Sequence, residues 1–125
     1  MTAAADVDGD GVRDRVALFV RKADRRLGLF VMLGAERTWT HVDAADPSTA
    51  SVLDNPALVG VAGVEIAKPG RYATLCARGG DCDAAAPTEV MLKCPGIILS
   101  KRESWSVLFY WDSAARHFVS VPLTS

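Results

Sequence analysis

The stretch Asp6-Val7-Asp8-Gly9-Asp10-Gly11-Val12-Arg13-Asp14, running through Arg15 into Val16-Ala17-Leu18-Phe19-Val20, decides the fold. Its carboxylates fall at positions 1, 3, 5 and 9 of a loop with glycine at position 6. That is the oxygen-ligand spacing of a calcium loop. Alternate residues of a tight loop point to its centre, so Asp6, Asp8 and Asp10 offer carboxylates there. Val12 offers its carbonyl, and Asp14 a carboxylate directly or through water. Without a cation, such charges repel at about 1 kcal/mol per close pair even in a water-like dielectric. A helix–loop–helix sensor needs a bidentate Glu at position 12, where this chain has Ala17. It also needs a helix next, whereas Val16 to Val20 is β-branched and aromatic and reads as a strand. The expectation is a loop-then-strand Ca²⁺ site of weak affinity, its remaining ligands water or a distant oxygen. An acidic turn without metal is the alternative, because Asp and Gly suit turns anyway.

Outward from the loop, the whole chain reads as β-structure. A chain of 125 residues is expected to form a single domain, 1–125, with a real core. Half the residues are apolar and 23% charged, which excludes a disordered chain. The net charge of −1 and the lack of basic runs interleaved with aromatics point away from nucleic acid. No apolar run approaches membrane-spanning length, so no membrane span is expected.

Strand one is read from Val16 to about Arg21 and strand two from Leu27 to Leu33, together a hairpin. Thr38 to Val42 is a short third strand. Residues 46–54 read equally as a short helix, with Asp46 capping Pro47, or as a loop. Gly60 to Ala67 resumes β-character. Lys68-Pro69-Gly70 is a turn and Arg71 to Cys76 the return strand. Further strands follow at Thr88–Cys94, Ile97–Lys101, Trp105–Trp111 and Phe118–Leu123. The fold expected is all-β: about eight antiparallel strands, a sandwich or compact propeller-like arrangement with little helix.

Cys76 and Cys82 flank a Gly-rich loop. A disulfide there would stabilise by roughly 2 kcal/mol; two free thiols or half of a metal site are the alternatives. Cys94 reads as a buried thiol. A disulfide and a weak calcium site both suit a periplasmic or secreted protein, with any signal segment removed. The N-terminus carries no basic segment followed by an apolar one. No nucleophile elbow, zinc-protease helix or P-loop is present. His41 and His117 are solitary in sequence, and Glu65 and Glu103 are the acids left for an enzyme.

Asp6 to Val20 resembles the loop–strand calcium repeat of integrin-type propeller blades. It occurs once, so a multi-bladed propeller is excluded by length. Lys68-Pro69-Gly70-Arg71-Tyr72-Ala73-Thr74-Leu75-Cys76, with Cys82, Pro95-Gly96-Ile97, Glu103-Ser104 and Phe109-Tyr110-Trp111-Asp112, resembles small secreted bacterial proteins. These are periplasmic lysozyme inhibitors and immunity proteins against peptidoglycan-degrading effectors. The resemblance implies a non-enzymatic protein that plugs the cleft of a bacterial effector or cell-wall hydrolase with a rigid loop. Residues 68–72 and 100–106 are then the inserting loops, with Tyr72 and Glu103 as partner contacts. A structural calcium module of an adhesion protein is the alternative, and an enzyme using Glu103 or Glu65 the third class.

Overall fold

The computed structural model describes residues 2–23, 27–34, 36, 38–42, 62–77, 79, 87–101 and 105–124. Ten strands are present: β1 (Thr2–Ala5), β2 (Asp14–Val20), β3 (Leu27–Met32), β4 (Thr40–His41), β5 (Ala62–Ala67), β6 (Gly70–Ala73), β7 (Glu89–Leu92), β8 (Gly96–Lys101), β9 (Trp105–Asp112) and β10 (His117–Thr124). Every pair is antiparallel. The described residues contain no helix, and the all-β expectation holds. Residues 46–54 lie outside the described residues.

The strands form three sheets. The first has the order β1-β2-β3-β4, the second β10-β9-β8-β5, and the third is the pair β6-β7. Side-chain alternation assigns each face. On β2 and β3, Val16, Leu18, Leu29 and Val31 point inward and meet Ile97, Leu99, Val107 and Phe109 of the second sheet. Leu108, on the opposite face of β9, packs with Val121 and Leu123 of β10 against Val90 and Leu92 of β7. The second sheet is therefore covered on both faces. This is why Val107, Leu108 and Phe109 are all buried in succession, where a half-exposed strand would alternate.

Two pairings differ from the sequence expectation. Thr2–Ala5 forms β1 against β2, in register from Thr2 opposite Ala17 to Ala5 opposite Asp14. Three alanines have low strand propensity, so packing on the sheet, not local preference, makes this strand. The turn Lys68-Pro69-Gly70 does not close a hairpin. β5 pairs with β8 and β6 with β7, so the chain leaves one sheet for another at Pro69. Gly70, with φ 145°, takes a backbone angle there that side chains resist. The third strand read over Thr38–Val42 shortens to Thr40–His41.

Candidate metal centre

β1 ends at Ala5 and β2 starts at Asp14, so the loop between them must reverse the chain within a few residues. The aspartates organise the reversal. Asp6 accepts hydrogen bonds from the backbone N–H of Gly9 at 3.0 Å on Oδ1 and of Gly11 at 2.8 Å on Oδ2. Asp8 Oδ1 accepts from Asp10 N–H at 3.3 Å, and Asp10 Oδ1 from Val12 N–H at 2.8 Å. Gly9 and Gly11 both sit in the left-handed region, at φ 76° and 85°, where a Cβ is strained.

Asp14 has a different job. It is fully buried. Its Oδ2 accepts from Val7 N–H at 2.9 Å and its Oδ1 from Gly34 N–H at 2.6 Å. One carboxylate thus ties the loop's entrance, the start of β2 and the turn after β3. The Val12 side chain lies over Gly34 so closely that a Cβ on Gly34 would fall 2.1 Å from Val12 Cγ1. From below, Cys94 Sγ reaches Val7 O at 3.6 Å.

The structure brings three of the four expected carboxylate ligands together. Carboxylate oxygens of Asp6, Asp8 and Asp14 lie within 4.8 Å of one another. Asp10 is outside that group and closes the turn onto Val12 instead. Desolvation pushes the Asp8 carboxyl up to about 7, with Asp10, Asp14 and Asp6 adding to the rise. Desolvation also opposes ionisation of Asp6, but hydrogen bonds from Gly11, Asp8 and Gly9 outweigh it and hold Asp6 below its ordinary value. The two carboxyls are close enough to share one proton. Burial, then the charges of Asp6 and Asp8, push the Cys94 thiol up.

Elsewhere the expected sites are only partly assembled. Tyr72 O–H donates to Lys68 O at 2.6 Å, bracing the Lys68-Pro69-Gly70 turn, while the ring packs beside Val90 and Leu92. Glu103 lies outside the described residues, as does Cys82. Cys76 is disulfide-bonded and Cys94 is free. Cys94 lies beyond the end of β7, only half-buried, and not on the apolar face of a strand. Glu65 is exposed on β5.

Sequence reading missed the role of Gly34 and the cleft that His41 and His117 both border. Both histidines line one cleft of about 950 Å³ between the first two sheets, with Asp8, Glu36, Arg116 and Trp111. They are 76 positions apart, and only tertiary pairing joins them. No protein-family model, no curated protein and no solved structure matches the chain.

Proposed function

We propose that this chain is a calcium-stabilised, non-enzymatic β-domain that acts by binding a partner protein. The observation that carries the cation is the convergence of Asp6, Asp8 and Asp14 within 4.8 Å on a loop closed by two left-handed glycines. Hard oxygen donors of this kind suit Ca²⁺. Three side chains leave room for water and backbone carbonyls in a shell of about six to eight oxygens. The site would work structurally: Ca²⁺ would replace the proton shared by Asp6 and Asp8 and lock the loop to the first sheet. Calorimetric titration with Ca²⁺ tests it. Wild type gives a saturable isotherm that Asp8→Asn abolishes; no heat from wild type at millimolar Ca²⁺ overturns the reading.

The partner is proposed to be a bacterial cell-wall hydrolase, as the sequence resemblance implies. One structural feature favours that class. The Tyr72–Lys68 hydrogen bond holds the turn at 68–70 in one shape, and a loop ordered before binding loses less entropy on insertion. Lys68, Pro69 and Arg71 are the exposed groups of that loop. Tyr72 braces the loop from behind. A lytic enzyme encoded beside this gene should lose activity at equimolar protein and recover it with Tyr72→Phe, which frees the turn. Unchanged lysis with wild type would contradict the partner class.

A further inference from the structure

The outer face of the first sheet should be its solvated side, yet it carries a cluster of four rings. Strand register places Arg15, Ala17 and Phe19 of β2 on this face beside Met32, Phe30 and Gly28 of β3, with His41 of β4 opposite Phe30. The Phe19 and Phe30 ring centroids are 5.4 Å apart, Phe30 and His41 5.1 Å, and Phe19 and Trp39 5.2 Å in an edge-on contact. Phe30 lies flat across Gly28: a Cβ there would stand 2.5 Å from the ring. Glycine at this point therefore makes the bed for the ring. Phe19 and Trp39 remain 41% and 36% exposed, far more than a packing role needs. Phe19, Phe30, His41 and Arg21 border a groove of about 380 Å³.

Among the described residues, basic side chains flank the rings on this face. Arg15 is exposed on the same face, Arg21 borders the groove, and Lys22 follows in the turn. Among the described residues, the outer-face positions of β1 to β4 hold no carboxylate and no side-chain amide. A sugar-binding face needs such groups to take up hydroxyls. Phe19, Phe30 and His41 lie on strands of the sheet, so they suit stacking against a facing surface better than burial in lipid. With a net charge of −1, the chain offers no broad basic field of the kind nucleic acid needs.

We infer that this face is a docking surface for an acidic segment of a partner protein that presents an aromatic or aliphatic side chain to the Phe19–Phe30 groove. The inference deepens the partner-binding reading above and rests on it for the class of occupant. Phe19, Phe30 and Trp39 supply the apolar anchor site that interfaces concentrate in aromatic residues. Arg15 and Arg21 supply attraction for flanking carboxylates and set their orientation. The Lys68–Tyr72 turn is on a different sheet, so the two surfaces are separable by mutation.

The test uses the full chain and three fluorescent peptide pools: acidic with aromatics, basic with aromatics, and acidic without aromatics. Vesicles of phosphatidylserine serve as the competing anionic surface. Binding is expected to the first pool only, weakened by added salt. Phe19→Ser with Trp39→Ser should weaken it about ten-fold or more. Arg15→Glu with Arg21→Glu should do the same, and Met91→Ser, an exposed apolar control on the third sheet, should not. Circular dichroism melts confirm that each variant is folded. Equal binding of all pools, preference for the vesicles, or binding indifferent to both double variants overturns the inference. If the acidic–aromatic pool binds the face while no hydrolase is inhibited, the hydrolase reading fails and the docking surface stands.

Discussion

Asp14 ties separate segments of the first sheet together. It is fully buried, and each oxygen accepts a backbone N–H from a different segment. Asp14→Ala strands both donors and should cost about 3 kcal/mol or more in a denaturant titration. Asp14→Asn keeps one acceptor but turns an NH₂ toward the other donor, so it too should destabilise. Asp8 gives a pH signature. Its carboxyl is pushed up to about 7, so between the ordinary carboxylate range and pH 7 the folded state binds more protons than the unfolded state. Without cation, the Asp8 contribution therefore falls as pH rises from about 4 to 7. Asp6, held below its ordinary value, acts oppositely: its contribution is lost only as pH falls through its lowered folded value. Melting temperatures in chelator at pH 5 and 7.5 should show the Asp8 loss, and Asp8→Asn should flatten it. The spacing of the aspartates was legible in the sequence because their chemistry is local. The Asp14–Gly34 contact was not, because it joins residues 20 apart through a sheet that must already exist.

At the scale of elements, strands with apolar side chains at every second position were readable, and those made by context were not. β2, β3, β8 and β9 carry their own signal in Val, Ile, Leu and aromatic residues. β1 has only Thr2 and three alanines, and exists because β2 offers it an edge. Lys68-Pro69-Gly70 was read as a turn into a return strand; the chain does break there, but β6 pairs with β7 and not with β5. The double burial of β9 makes a sharp prediction. Phe109 is fully buried between the first two sheets, and Phe109→Ala should cost about 3–5 kcal/mol. Leu108→Ala opens the other interface, against β7, and should cost about 2–5 kcal/mol. Phe109 and Leu108 belong to separate clusters, so additivity of the two losses in equilibrium unfolding would support two independent layers. On the outer face, Gly28→Val should drive Phe30 out of its seat and lower binding of acidic–aromatic peptides while leaving Ca²⁺ binding intact.

The described residues form three layers of antiparallel sheet, with the aspartate loop at the end of the first and rings on its outer face. The candidate cation loop joins the edge strand β1 of the first sheet to its neighbour β2, and its Val7 side chain is buried in the core shared with the second. A bound Ca²⁺ would therefore stiffen more than the loop. It would fix β1, the entry to β2 and the turn after β3 together, because Asp14 already links all three. The measurement that bears most directly on this is thermal unfolding at pH 7.5 with millimolar Ca²⁺ against excess chelator, for wild type and for Asp6→Asn with Asp8→Asn. The account predicts a higher melting temperature with Ca²⁺ in wild type and none of that gain in the double variant. Superimposable wild-type curves in Ca²⁺ and in chelator would contradict it.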